Sequence, residues 1–169
     1  GNRHGLVGRN LQGHLYPTAY GLFDEPVHAS RGPGVSIATT AFVHGNPRIV
    51  GGAMLADDFV MTPAAFFANA LPPGQRRWGH DTKDFMRRAY SRVLQVKGPV
   101  HEVPDPACRV ELDPTVKDQW GLAVARLSGV VHAETMRTVA FIRDRAEVWV
   151  RSSGATRTWT PDCRPISAP

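Results

Sequence analysis

Three side chains near the start of the chain, His14, Tyr16 and Tyr20, carry groups suited to proton transfer or hydrogen bonding. Histidine changes charge most readily near neutral pH, which fits it for acid–base work. It serves as readily as a hydrogen-bonded residue in a turn. On an extended segment side chains repeat every second residue, so Tyr16, Thr18 and Tyr20 share one side. Two phenols placed there either line a pocket floor and donate hydroxyls to a polyol or polyketide-like ligand, or stand as half-buried aromatics on a sheet. His44 and Asn46 fall in a turn at a strand end, a frequent location for functional groups, where plain turn chemistry competes as a reading. Asp57 and Asp58 follow an apolar stretch. Paired carboxylates can divide acid and base roles, yet neighbours on a strand point to opposite faces and need not share a site. The catalytic candidates are therefore His14, Tyr16 and His44, and the substrate-binding candidates are Tyr20, Asn46 and Asp57. Cys108 and Cys163 are too few for a disulfide framework or a cysteine metal site, and no histidine pair has H-E-x-x-H spacing, so no metal is expected.

The elements that must position these residues begin with strands. Leu15 to Leu22, Gly34 to Val43 and Ile49 to Ala56 are rich in β-branched or small apolar residues, with Pro/Gly/Asp turns at 24–26, 31–34 and 45–47 between them. Thr62-Pro63 predicts an N-cap followed by proline in the first helical turn, opening a helix through Ala70. Leu71-Pro72-Pro73-Gly74 stops it. A second helix, capped by Asp81, places Phe85, Ala89 and Val93 on one face and runs to Gly98-Pro99. Strands follow over Ala107 to Leu112 and Leu122 to Val130. The last helix spans about Glu134 to Ser152, where Met136, Val139, Ile142, Ala146 and Trp149 recur at helical spacing, with His132 helping to start it and Gly154 at its end. The reading is an α+β domain over 1–155, an antiparallel sheet with helices packed on one face, and a proline-rich tail over 156–169.

Composition bounds the partners. The 169 residues are 42% hydrophobic and 21% charged, a globular mix. No apolar run approaches the roughly 18 residues that cross a bilayer, so a cytoplasmic chain without a membrane partner is expected. The formal charge is +5, but Arg143 and Arg145 alternate with Asp144 and Glu147, and Lys83, Arg87 and Arg88 accompany Asp81 and Asp84. Mixed signs of that kind mark solvated helix faces, so nucleic acid is not an expected partner.

Three ordered stretches carry a resemblance. Gly8-Arg9-Asn10-Leu11-Gln12-Gly13-His14 resembles a G-R-N-L-x-x-H segment. Ser36 to Thr40, Gly45-Asn46-Pro47 and Gly51-Gly52 resemble substrate-domain strands. Leu112-Asp113-Pro114, Asp118-Gln119-Trp120-Gly121 and His132-Ala133-Glu134-Thr135 resemble a D-x-W-G stretch ahead of a helix opening on H-x-E. All three are similar to segments of the glucose–methanol–choline family of FAD-dependent oxidoreductases, in that family's order.

The resemblance implies the middle, substrate-side portion of such an enzyme, acting on CH–OH groups of alcohols or sugars. His14 gains a positional claim from it, since that segment runs toward the flavin and the junction between domains. Asn10 becomes a cofactor contact if a flavin domain is present, and otherwise a turn or capping residue. The G-x-G-x-x-G turn that holds FAD in the complete family enzyme does not occur here, nor does the later H-x-x-G-T-x-R-M-G stretch that bears its catalytic histidine. The chain by itself is expected to bind no FAD and to meet a small-molecule substrate beside a complementing flavin-domain chain or a second copy. The alternative is a stand-alone, cofactor-free binding domain, cyclase or isomerase derived from such an enzyme.

Overall fold

The computed structural model describes residues 1–28, 34–58 and 62–163. Among these residues seven strands and three α-helices follow in chain order: β1 (Thr18–Leu22), β2 (Ala38–Thr39), β3 (Leu55–Asp58), α1 (Pro63–Asn69), α2 (His80–Ala89), β4 (Val93–Lys97), β5 (Arg109–Lys117), β6 (Ala123–Ser128), α3 (Ala133–Ser152) and β7 (Arg157–Trp159). Five strands form one antiparallel sheet in the order β2-β3-β4-β1-β7, and β5-β6 form a separate hairpin. The fold is α+β, as the sequence reads.

Alternation along β1 assigns its two faces. Ala19 joins Leu55 and Val96 against Val139, Ile142, Ala146 and Val150 of α3, whose spacing keeps one stripe on the sheet. Burial of each valine, leucine and isoleucine among them contributes roughly 1.5–3 kcal/mol, and of each alanine less. Gly21 lets the helix come this close: a Cβ there would lie 2.1 Å from Val150 Cγ1. Tyr20 points the other way and packs with Val93 and Trp159 against Phe66 and Ala70 of α1 and Ala89 of α2. The long helix thus covers one face and the two short helices reach the end of the other, so the helices are not confined to one face as the sequence led us to expect.

Thr62 and His132 cap where the sequence places them, whereas Asp81 does not: the N-cap of α2 is Gly79, with no side-chain cap bond. The Thr62 hydroxyl accepts from Ala65 N–H at 3.2 Å, and His132 Nδ1 accepts from Glu134 N–H at 3.1 Å. Asp81 lies instead in the first turn of α2.

Several expectations need correction. The strand expected over 34–43 is only Ala38–Thr39, and the one expected over 49–56 is Leu55–Asp58. The second helix ends at Ala89; Tyr90–Arg92 tighten into a 3₁₀ turn, and Val93–Lys97 become a central strand. Pairing with β1 on one side and β3 on the other outweighs the helical spacing of Phe85, Ala89 and Val93. Part of the expected tail is also structural: Arg157–Trp159 pair with β1, and Trp159 is buried. Of the turn expected at 31–34 only Gly34 is described, and 164–169 lie outside the described residues.

The hairpin holds to the rest chiefly through the N-terminal segment. Val110 N–H donates to Gly8 O at 2.7 Å, and Leu11 N–H to Cys108 O at 2.9 Å. Its register shifts between Leu112 and Lys117, around Pro114, which has no N–H for a ladder. Asp113 fills that gap: its Oδ1 accepts from Val116 and Thr115 N–H at 2.8 and 2.9 Å, and these bonds hold its carboxyl below the usual range.

Candidate functional site

The strap from Leu11 to Tyr16 runs past the end of the sheet. Leu15 is buried in the main core, so its neighbours His14 and Tyr16 project outward. The strap is pinned from both sides. Gln12 Nε2 donates to Glu102 O at 2.8 Å, Gly13 N–H to Glu102 Oε2 at 2.8 Å, and Val100 N–H to Leu15 O at 3.0 Å. The His14 and Tyr16 rings sit 5.9 Å apart, tilted at 57°.

Both rings line a cleft of about 490 Å³ between the strap, the end of β6 and the start of α3. Its walls include Leu127, Val130 and Val131. Much of the polar lining is already engaged: Thr135 Oγ1 accepts from Val103 N–H at 3.0 Å, and the Cys108 thiol donates to Val130 O at 3.1 Å. An apolar chamber with a few convergent polar groups fits a small organic ligand with one polar end, met by His14 and Tyr16.

His44 lies outside this cleft. Its ring stacks on His101 at 6.3 Å, and His101 lines a neighbouring cleft of about 520 Å³ that shares His14 and Glu102 with the first. Asn46 serves its own loop: the side-chain amide donates to Phe42 O at 2.8 Å and Gly51 O at 3.2 Å. Asp57 is buried, its Oδ1 accepting from Ser36 and Ile37 N–H at 2.7 and 2.8 Å, which ties it to the segment before β2. Asn10 is exposed and adopts a left-handed turn conformation at φ 57°.

Tyr20 lines a third cleft, on the sheet face away from α3, together with Tyr16 and Thr18 as strand alternation predicts. It stacks on Trp159 at 5.7 Å. Burial, reinforced by the Asp58 charge, pushes its phenol up to about 12. Asp58, weighed in the sequence as one of a carboxylate pair, joins it there with Gln95 and Lys97, neither of which was singled out. The signal for Gln95 and Lys97 was the alternation of Val93, Gln95 and Lys97 with Leu94 and Val96, which a helical reading conceals.

Cys163 packs against the main core. Burial pushes its thiol up, opposed by a hydrogen bond with the Tyr16 backbone and by the Arg143 charge.

A dinucleotide such as FAD calls for a glycine turn between a strand and a helix N-terminus. No such unit occurs among the described residues. The nearest glycine pair, Gly51-Gly52, serves packing: a Cβ on Gly52 would stand 2.3 Å from the carbonyls of Phe42 and Val43. No described helix is long and apolar enough to cross a membrane, and no described cluster of His, Cys, Asp and Glu suits a metal. Scanned against models of known protein families the chain matches none, and a search of the curated proteins finds no match either.

Proposed function

We propose that this chain is the substrate-side part of a cytoplasmic, flavin-dependent oxidoreductase of the glucose–methanol–choline type, acting on CH–OH groups of alcohols or sugars beside a complementing flavin-bearing chain. The observation that carries this reading is the uncovered apolar surface of the β5–β6 hairpin. Leu112 is 72% exposed, Trp120 76% and Leu122 65%, and Val116, Leu127 and Val130 add to them. Apolar surface on that scale marks an interaction site more often than a free surface.

In this reading the second chain covers the hairpin and so roofs the His14 cleft, because the end of β6 forms one wall of both. His14 and Tyr16 then lie at a junction between two bodies, a favoured location for ligand pockets. FAD belongs to the other chain, and when bound it supplies the hydride acceptor. The residues here hold and orient substrate. Asn10 touches the flavin only in that assembly.

A second reading is a stand-alone binding domain, cyclase or isomerase that needs no cofactor. Its support is a pair of hydrophobic clusters that close without a second chain.

The test is to titrate the purified chain with FAD while following flavin fluorescence and melting temperature, with an apolar dye and sedimentation in parallel. The expected result is no flavin binding, a cooperative melt, and dye binding that Leu112→Lys with Leu122→Lys removes. Micromolar FAD binding with stabilisation would overturn the assignment of flavin to another chain. A dye-silent monomer would favour the stand-alone reading.

A further inference from the structure

Directly opposed residues of antiparallel strands share a face, and one such row crosses four strands of the sheet. Asp58 on β3 opposes Gln95 on β4, Gln95 opposes Tyr20 on β1, and Tyr20 opposes Trp159 on β7. The next row sets Lys97 opposite Thr18, and Lys97 pairs with Asp58. Tyr20 is 4% exposed and Gln95 7%, yet neither the phenol hydroxyl nor the carboxamide meets a hydrogen-bonding partner among the described residues. Both line the third cleft, about 770 Å³, whose far wall is α1 and Arg77.

Buried polar groups are paired as a rule. Among the described residues the fully buried side-chain polar atom left without a partner is Trp159 Nε1. The largely buried Tyr20 and Gln95 side chains instead carry their unpaired polar tips to the open cleft, where a ligand can complete their hydrogen bonds. Their chemistry narrows the ligand. Gln95 offers an N–H donor beside a carbonyl acceptor, and Tyr20 offers a hydroxyl that burial keeps protonated. Charges around the cleft balance. Lys97 is paired with Asp58, the Arg77 guanidinium donates to Ala68 O at 3.2 and 3.3 Å, and Asp162 stands on the same lining. That balance favours an uncharged ligand over an ion. Tyr16 adds an aromatic face.

We propose that this cleft binds a small uncharged ring compound bearing a carboxamide, whose carbonyl accepts from Tyr20 and Gln95 while its N–H donates to the Gln95 carbonyl. Tyr16 lines both this cleft and the His14 cleft, but the hydrogen-bonding pair belongs to this one. The hydrogen-bonding pair lies within the sheet, and the cleft does not depend on a chain covering the hairpin.

Benzamide is the probe, added to the ¹⁵N-labelled full chain. Saturable shifts of the Gln95 side-chain amide are expected in the millimolar range. Benzoate, the anionic isostere, should bind more weakly. Tyr20→Phe should weaken benzamide about fivefold, the worth of one hydrogen bond, and leave the melting temperature unchanged or raised. Absence of saturable shifts up to about 20 mM, a generous limit for a ligand of this size, overturns the proposal. So does wild-type affinity in Tyr20→Phe. If Tyr20→Phe unfolds, Gln95→Leu decides: a folded Gln95→Leu chain that still binds benzamide as wild type overturns the site, and one that has lost it supports the site.

Discussion

Asp57 and Asp58 are adjacent in the chain and work on opposite faces of the sheet. Asp57 accepts the backbone N–H groups of Ser36 and Ile37, while Asp58 pairs with Lys97 beside Tyr20. One carboxylate ties down the segment before β2, and the other belongs to a cleft.

The two should therefore fail differently. Asp57→Ala removes two hydrogen bonds to a buried charged acceptor and should cost about 3 kcal/mol. Asp58→Asn weakens a partly exposed ion pair and should cost under about 1 kcal/mol. Urea denaturation of the two variants measures the contrast, and equal losses would contradict the division of roles.

Tyr20 should make stability fall at high pH. A phenol whose folded-state pKa is raised above its unfolded value, near 10, binds its proton more tightly in the native chain. Its contribution is full below about pH 10 and is lost as pH rises towards about 12. The loss should reach roughly 2–3 kcal/mol at most and be absent from Tyr20→Phe. Denaturation across that window, with phenolate absorbance in parallel, checks both the sign and the residue.

Gly21→Ala should cost about 3 kcal/mol, at the upper end for overpacking, because the new methyl meets Val150 and Ala155 beneath α3. Val150→Ala opens a cavity when made by itself, but in the double variant the two changes should offset by at least about 1 kcal/mol. A double-mutant cycle reads the coupling. Simple additivity would mean that the helix shifts away from the strand.

Leu112→Lys and Leu122→Lys touch side chains that stand in solvent. Each should change stability by no more than about 0.5 kcal/mol while suppressing self-association and dye binding. Concentration-dependent sedimentation and thermal melts separate the two effects. A large loss of stability would show that the hairpin face is covered within the chain.

What was legible in the sequence was local. Thr62-Pro63 and His132 mark helix starts because caps act within one turn, and Val139, Ile142 and Ala146 mark the buried stripe of α3 because it repeats along one helix. The shared side of Tyr16, Thr18 and Tyr20 follows from alternation along one strand. What escaped depends on distant pairing. Val93 continues the helical spacing of Phe85 and Ala89, and only the pairing of the strand it opens, with β1 and further along with β3, makes it extended. Three residues around Trp159 have no periodicity of their own. Gln95 and Asp58 become site residues only when register aligns them with Tyr20, and Glu102 only when the strap folds back on it.

The pairing of β7 with β1 also bears on how the molecule is made. The first strand of the sheet to be synthesised is flanked by β4 and by β7, the last of the sheet's strands to be made. During translation β1 can take up β4, but its other edge stays open until Trp159 has left the ribosome. An open edge is a template for strands of other chains. A ribosome stalled before Arg157 would therefore display an adhesive nascent chain, and the burial of Trp159 as it stacks on Tyr20 would mark the moment at which that hazard ends.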